Sequence, residues 1–241
     1  MRQLKLVRTA EELPLLLQDA SKREASYTEL LQDLLGRELS AKQDRHTAMK
    51  TTMARFPFQK SLESFDFKFQ PSIEPKVIRE LATGRFIADA DNVLLLGPPG
   101  VGKTHLAVAL GREAIVRGYS TLFVPATGLV TQLARAHAEG RLEEKLVHFT
   151  KPKLLVVDEL GYLPFEANAA HLFFQLVSRR YERGSILITS NRSVGEWGGV
   201  FGDPVIATAI LDRLLHHSTV ITIRGDSYRL REKRRSGLLQ K

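Results

Sequence analysis

One segment constrains this chain more than any other: Gly97-Pro98-Pro99-Gly100-Val101-Gly102-Lys103-Thr104 fits the pattern G-x-x-x-x-G-K-[ST]. It follows an apolar run, Val93 to Leu96, and opens a helix predicted over 103–118. The glycines let backbone N–H groups turn toward phosphate oxygens, and the helix N-terminus adds the positive end of its dipole. We expect Lys103 to reach the β and γ phosphates and Thr104 to bind Mg²⁺. The alternative is a chance glycine-rich turn, which the flanking strand and helix disfavour.

Four further apolar runs follow along the chain, so strands are predicted over 93–96, 121–124, 154–157, 186–190 and 220–223. Helical patterns lie between them over 127–149, 167–183 and 204–216. Continuous apolar strands that alternate with helices are typical of a parallel sheet covered on both faces. The sequence therefore predicts an α/β P-loop domain with a five-stranded parallel sheet.

Two carboxylates follow the strand predicted over 154–157, namely Asp158 and Glu159. A buried strand that ends in a carboxylate brings it to the edge of the sheet beside the phosphate loop, where Asp158 can hold Mg²⁺. Glu159 can polarise a water for attack on the γ-phosphate, which disfavours a small-molecule kinase. The alternative is a solvated turn at the end of a strand.

Polar side chains at two later positions complete the candidate catalytic set. Asn191 follows the fourth predicted strand and could hydrogen-bond the attacking water, or it could belong to a simple turn. Arg213 lies on the predicted helix over 204–216, away from its apolar stripe. It could neutralise charge in the site of a neighbouring subunit. An ion pair with Asp212 within the helix is the alternative.

Composition excludes several other kinds of protein. The chain has no cysteine, which rules out disulfides, thiolate metal sites and cysteine nucleophiles. No apolar run reaches the roughly 18–20 residues of a membrane span, and the N-terminus lacks the apolar core of a signal peptide. We expect a cytoplasmic protein without a membrane partner.

The net charge of +8 makes nucleic acid a partner to consider. The eighteen residues from Arg224 onward carry seven basic and two acidic side chains. Such a basic tail either binds anions or is merely solvated, and the sequence leaves both interpretations open.

The region before the sheet has a different character. A helical pattern begins at Tyr27, and a second polar helix is predicted over about 37–54. Phe65, Phe67 and Phe69 then alternate with polar residues, which suggests an extended segment. We predict a helical N-terminal interaction domain over 1–60, a linker over 61–75, and an ATPase domain over 76–241 with the basic tail.

Taken together, five segments resemble the IstB family of transposition helper ATPases, which belongs with DnaC-like helicase loaders among the AAA+ ATPases. The segments are the phosphate loop, Asp158-Glu159-Leu160-Gly161-Tyr162, Thr189-Ser190-Asn191, Leu211-Asp212-Arg213-Leu214 and Gly225-Asp226-Ser227-Tyr228-Arg229. The resemblance extends from about Tyr27 to Arg235, and its C-terminal two-thirds is the more specific part.

The resemblance implies an AAA+ fold, ATP and Mg²⁺ as cofactors, and hydrolysis of ATP to ADP and phosphate. It also implies a homo-oligomer assembled with ATP on double-stranded DNA, and recruitment or stimulation of a transposase. The implied ATP-binding residues are those of the phosphate loop and His105. Thr104 and Asp158 are the implied Mg²⁺ residues, Glu159 the water-activating residue, Asn191 the polar sensor, and Arg213 the arginine offered to a neighbour.

The resemblance leaves a DnaC-like replicative helicase loader as the alternative function. The helical lid of many AAA+ proteins, which carries a second sensor arginine, is expected to be missing here, and Arg229 is the candidate substitute. The helical insert over 129–149 falls where initiator-type AAA+ proteins present a DNA-binding element. On its polar sides Thr131 lies four residues from Arg135, and Arg141 four residues from Lys145, so these four are the candidate DNA contacts. An ordinary solvated helix face is the alternative.

Overall fold

The computed structural model describes residues 6–165 and 167–235, and five parallel strands in it form one sheet. The strands are β1 (Asn92–Leu96), β2 (Thr121–Pro125), β3 (Leu154–Leu160), β4 (Ser185–Ser190) and β5 (Ser218–Thr222). Their order across the sheet is β2-β3-β4-β1-β5, and every neighbouring pair is parallel. The predicted five-stranded parallel sheet is therefore confirmed.

Helices lie before the strands and between them along the chain. They are α1 (Val7–Lys22), α2 (Tyr27–Ala54), α3 (Pro75–Ala82), α4 (Arg85–Ala88), α5 (Lys103–Val116), α6 (Ala126–Ala138), α7 (Leu142–Thr150), α8 (Ala167–Arg180), α9 (Trp197–Phe201), α10 (Pro204–His216) and α11 (Tyr228–Arg235). Contacts divide the chain into two compact units, Met1–Lys50 and Thr51–Lys241. The domain boundaries near residues 60 and 76 stay a prediction.

Side chains of each strand alternate between two apolar layers, as the pleat of a strand requires. Leu94 and Leu155 belong to the layer formed with residues of α6, α8 and α10. Their neighbours Val93 and Leu154 belong to the other layer, formed with residues of α3 and α5. Because β1 to β4 are buried on both faces, most of their residues are apolar, which is why they could be recognised in the sequence, whereas β5 is only partly buried.

The prediction of one helical region over 127–149 is wrong in one respect. The segment forms two helices, α6 and α7, with a break between them. Gly140 has a left-handed φ of +69°, and its N–H donates to the carbonyl of His137. The N–H of Arg141 donates to the carbonyl of Ala136 at 2.8 Å. These two bonds form a glycine-dependent helix end, so α7 starts in a new direction.

Two further predictions are also corrected. The pattern that suggested separate helices near residues 27–35 and 37–54 belongs to a single helix, α2, and an unpredicted helix, α1, precedes it. The phenylalanine segment is a series of turns rather than an extended segment, since the N–H of Phe65 donates to the carbonyl of Leu62 and that of Phe69 to the carbonyl of Asp66.

A buried arginine fixes the start of β3. Arg180 is only 2% exposed, and its guanidinium donates to the carbonyl oxygens of Phe149, Pro152, Lys153 and Ser185 at 2.7–3.1 Å. Burial lowers the pKa of Arg180 to about 10. The side chain thus joins the end of α7 to the starts of β3 and β4. Over the described ranges, no helix is both long and apolar enough to cross a membrane.

Candidate nucleotide-binding site

The phosphate loop connects β1 to α5 and is shaped by glycines at two close approaches. Gly97 has φ +150°, and a Cβ there would collide with the carbonyl oxygen of Ile223. Gly102 has φ +100°, and a Cβ would lie 2.7 Å from a ring carbon of Phe65. The loop therefore requires glycine both for its backbone angles and for space.

A cavity of about 640 Å³ opens in front of this loop. It is lined by the consecutive residues Pro99, Gly100, Val101, Gly102, Lys103, Thr104 and His105, and by Glu159 and Asn191. Gly97 and Pro98 contribute their carbonyl oxygens, to which the Lys103 ammonium donates at 2.7 and 2.8 Å. The structure thus brings the predicted nucleotide residues together around one cavity.

Among the residues of the phosphate loop, Lys103 carries the positive charge that can attract a phosphate. It is half-buried, and burial lowers its pKa, while Asp158 and Glu159 oppose that shift. An anion near the ammonium would replace contacts with two neutral carbonyls by contacts in which donor and acceptor are both charged.

The two candidate Mg²⁺ residues touch each other. The Thr104 hydroxyl donates to the Asp158 carboxylate at 3.0 Å, although 54 residues separate them in the chain. Burial raises the pKa of Asp158, and hydrogen bonds from Thr189 and Thr104 oppose that rise. A hydroxyl and a carboxylate are the hard oxygen ligands that suit Mg²⁺.

The two carboxylates differ in exposure, since Asp158 is buried while Glu159 is exposed toward the cavity. The strand is also irregular here: the register between β3 and β4 shifts between Val157 and Leu160, and Glu159 has φ +62°, which is rare for a residue other than glycine. Bulges and backbone strain of this kind concentrate next to functional sites.

Thr189 holds this irregular segment, and although it belongs to the named segment Thr189-Ser190-Asn191, no role was assigned to it from the sequence. Its fully buried hydroxyl donates to Asp158 Oδ1 at 2.6 Å and accepts from the Glu159 N–H at 2.9 Å. One hydroxyl group therefore positions both carboxylates. A threonine inside an apolar strand carries no local signal of this role.

Asn191 lies at the end of β4 and lines the cavity. Its Oδ1 is buried and has no hydrogen-bond partner among the described residues. Since an unpaired buried acceptor is costly, a donor supplied by a bound molecule would be favourable there.

His105 lines the cavity and also contacts residues of the segment before α3. Its Nε2 lies 2.9 Å from the carbonyl oxygen of Ser61 and 3.2 Å from the hydroxyl of Ser64. Phe65 packs edge-on against the His105 ring at 5.1 Å. The phenylalanine segment is thereby fastened to the first turn of α5.

Arg213 is half-buried, because its guanidinium packs over the Phe174 ring at 4.8 Å. It donates to the carbonyl of Ala209 and does not line the cavity of its own chain. In the part of the chain that the structure covers, Arg213 forms no ion pair, and the alternative pair with Asp212 is not formed.

The segment after β5 lies against the phosphate loop. The Tyr228 N–H donates to the carbonyl of Gly100, and the Ser72 hydroxyl donates to the carbonyl of Arg224. Arg231 packs over Phe69 at 4.6 Å. Arg229 lines the cavity and raises the local positive potential at Lys103. The sequence suggests Arg229 as the substitute for a second sensor arginine, but the contacts of Tyr228, Ser72 and Arg231 were not predicted.

A second concavity of about 490 Å³ lies between α6 and α7. Arg135, Arg141 and Lys145 line this α6–α7 groove. Thr131, the fourth candidate DNA contact, instead donates its hydroxyl to the carbonyl of Thr127 within α6.

Two of the basic side chains in this groove form ion pairs with a carboxylate. Glu139 pairs with Arg135 at 2.8 Å and also with Arg141. Lys145 lies 3.4 Å from Gln132 Oε1 and over the Phe149 ring. The rival basic cluster of the tail, Lys233, Arg234 and Arg235, has side chains outside the described part of the structure.

Comparison with known proteins gives one family. A family model described as "IstB-like ATP binding protein" matches residues 1–236. An ATP-binding protein of insertion sequence IS5376 from Geobacillus stearothermophilus is 51% identical over 93% of this chain and 90% of its own. The corresponding protein of IS21 from Pseudomonas aeruginosa is 48% identical over 100% of this chain and 91% of its own.

Solved structures with a similar fold are those of replication proteins. DnaI superposes with a TM-score of 0.58 at 24% identity, over 69% of this chain and 92% of that one. AMPPCP-bound DnaA from Aquifex aeolicus superposes with a TM-score of 0.57 at 21% identity, over 78% of this chain and 58% of that one. At these identities the likeness is one of fold, the α/β P-loop AAA+ fold.

Proposed function

This chain belongs to the family of IstB-like ATP-binding proteins, and from that premise we propose that it is an ATP-hydrolysing helper of transposition. In this proposal it oligomerises with ATP on double-stranded DNA and recruits or stimulates a transposase. Relatives named for insertion sequences support this function over the alternative, a helicase loader. The likeness to DnaI concerns the fold alone and does not favour loading.

The observation that carries the proposal is the divergent pair of carboxylates behind the phosphate loop. Lys103 and the loop N–H groups bind the phosphates, and Asp158 with the Thr104 hydroxyl holds Mg²⁺. When bound, this ion neutralises charge on the β and γ phosphates. Because the Thr104 hydrogen is directed to Asp158, the lone pairs of its oxygen stay available.

Glu159 acts in this proposal as the general base, and Asn191 orients the same water. Glu159 faces the cavity through its unusual backbone angle, at the end of a strand whose other carboxylate is directed inward. The unpaired Asn191 Oδ1 accepts a hydrogen from the water that Glu159 polarises. These two roles make the site hydrolytic rather than phosphate-transferring.

The site is completed by Arg213 of a neighbouring copy. Its absence from the cavity of its own chain and its lack of a carboxylate partner support this assignment. The guanidinium would neutralise charge that develops on the γ-phosphate. Hydrolysis is then linked to assembly, since a lone subunit has an incomplete site.

DNA binding is assigned to the α6–α7 groove through phosphate contacts from Arg135, Arg141 and Lys145. Phosphate contacts position a protein on the duplex without reading bases. The groove supports this role by placing three basic side chains around one concavity.

The proposal is tested by sizing the protein with duplex DNA, with and without ATP, and by measuring phosphate release. The wild type should form large assemblies only with ATP and should hydrolyse it. Lys103→Ala should stay small and inactive, whereas Lys76→Ala, which removes an exposed lysine at the start of α3, should behave as wild type. Assembly of Lys103→Ala at full size, or a wild type without ATPase activity, would contradict the proposal.

A further inference from the structure

We propose that Glu182, His216 and His217 form a binding site for a divalent transition-metal ion of the zinc type. Glu182 lies in the turn after α8, His216 is the last residue of α10, and His217 follows it. A nitrogen of each histidine and a carboxylate oxygen of Glu182 lie within 4.8 Å of one another. The site lies at the amino ends of β4 and β5, whereas the nucleotide cavity lies at the carboxyl ends of the strands.

Small side-chain movements would bring the three candidate ligand atoms to the distances of a zinc site. Ligand atoms around one tetrahedral zinc lie about 3.4 Å apart, given bonds of about 2.1 Å. His217 Nε2 is 4.0 Å from Glu182 Oε1, and both side chains are more than half exposed, so rotation can close the remaining gap.

The backbone under the three ligands is fixed by a buried asparagine. The Asn92 side chain donates to the carbonyl of Leu214 at 3.1 Å and accepts from the N–H of Ile186 at 2.9 Å. The Asn92 backbone N–H donates to the carbonyl of His217 at 2.8 Å. Asn92 therefore joins the end of α10, where the two histidines lie, to β4, which follows the Glu182 turn, and less ordering is required when an ion binds.

A hydroxyl group orients one of the imidazole rings. Tyr181 Oη lies 2.7 Å from His216 Nδ1. When His216 Nδ1–H donates to this oxygen, the lone pair of Nε2 is left for the ion. Metal-binding histidines commonly donate their second N–H in this way, which sets the tautomer and the ring direction.

The local field also favours a cation. Helices α8 and α10 both end at the cluster, and a helix C-terminus carries partial negative charge from its free carbonyls. Two imidazoles and one carboxylate form a donor set suited to zinc, with a fourth position left for water.

Binding would join the ends of α8 and α10. Arg213 of α10 packs on Phe174 of α8, so the same two helices hold the guanidinium in position. The metal site does not depend on the proposed function, because none of its three ligands lines the nucleotide cavity.

The test measures Zn²⁺ affinity of the untagged full chain by competition with a chromophoric chelator, and records the absorption spectrum with Co²⁺. We expect one ion per chain and a four-coordinate Co²⁺ spectrum. The double variant His216→Ala/His217→Ala and the variant Glu182→Gln should each lose at least tenfold in affinity. Tyr181→Phe, which keeps every ligand, should lose about 10–100-fold.

His171→Ala is the matched control, since it removes an exposed histidine elsewhere on α8 and should leave the affinity unchanged. Added Zn²⁺ should also raise the melting temperature of the wild type and of this control, but not of the double histidine variant. Equal Zn²⁺ affinity in the double variant and the control, or no binding by the wild type, would overturn the proposal.

Discussion

The nucleotide cavity and the α6–α7 groove hold their charged side chains in different ways. In the cavity, Asp158 is buried and bonded by hydroxyls from two other elements of the domain. In the groove, the Arg135 and Arg141 side chains are 79% and 62% exposed, and both pair with Glu139. Exposed ion pairs contribute little, whereas buried polar networks are costly to break. Substitutions in the cavity should therefore have large effects and substitutions in the groove small ones.

Arg213→Ala should have the largest effect, because it removes a charge that we propose a neighbouring copy supplies to the site. It tests whether the site is complete within one chain. We expect the kcat of the assembly to fall by about 10³–10⁵, the range for arginines of this kind. ATP binding by the separate subunit should stay unchanged. Phosphate release and binding of a fluorescent ATP analogue measure the two quantities, with Arg85→Ala as an exposed control.

Mixing subunits sharpens this prediction. Arg213→Ala mixed with Glu159→Gln should recover part of the activity, since some interfaces then combine an intact Glu159 with an intact Arg213. Demonstrably mixed assemblies without any recovery would show that Arg213 acts only within its own chain.

Glu159→Gln should lower hydrolysis by about 10²–10⁴, the usual contribution of a general base. ATP binding should be retained because Asp158 and Thr104 are untouched, and the DNA-bound assembly should last longer. Single-turnover hydrolysis and dissociation from labelled duplex DNA measure these effects. Wild-type turnover in this variant would mean that Glu159 is only a turn residue.

Thr189→Val should lower kcat by roughly tenfold to hundredfold, since it leaves the Glu159 N–H without its acceptor and removes one of the two hydroxyl donors to Asp158, at about 1–3 kcal/mol. Thr189→Ser keeps the hydroxyl and should restore most of the rate. In the Glu159→Gln background, Thr189→Val should cost little more if it acts by positioning Glu159. A full additional loss there would instead indicate that Thr189 acts through Asp158 or through the stability of the domain.

Neutralising Arg135, Arg141 and Lys145 together should weaken DNA binding similarly on unrelated sequences. Each lost phosphate contact should reduce the slope of log K against log[salt] by roughly 0.9. ATP binding should stay intact. An unchanged slope would assign the DNA contacts to the tail, in which case neutralising Lys233, Arg234 and Arg235 abolishes binding, whereas deleting the residues after Gly237 changes little.

The smallest effect is expected from Glu139→Gln, which releases both groove arginines from their carboxylate. DNA affinity should rise by about twofold to fivefold, in line with the energies of exposed ion pairs. ATPase activity without DNA should not change. Weaker binding would show that Glu139 orients the arginines rather than competing for them.

The sequence predicts best what is determined locally. The phosphate loop and the apolar strands follow from residue order, and the structure confirms the five-stranded sheet. The break between α6 and α7 was missed although Gly140 offered a signal, because the apolar pattern continues across it. The helix α1 was missed because Pro14 and a weak pattern obscured it.

Contacts between distant segments could not be predicted from local patterns. The link from Thr189 to Asp158 spans 31 residues, and that from Ser72 to Arg224 spans 152. Only the folded sheet brings these groups together. The site roles of the predicted residues stay predictions until the variants are measured.

The docking of Tyr228 on Gly100 has a consequence for biosynthesis. The segment that closes over the phosphate loop follows every strand in the chain, so it emerges from the ribosome after all of them. Domains generally fold as units during translation. We therefore expect a nascent chain released before residue 225 to contain the sheet and yet to retain ATP poorly.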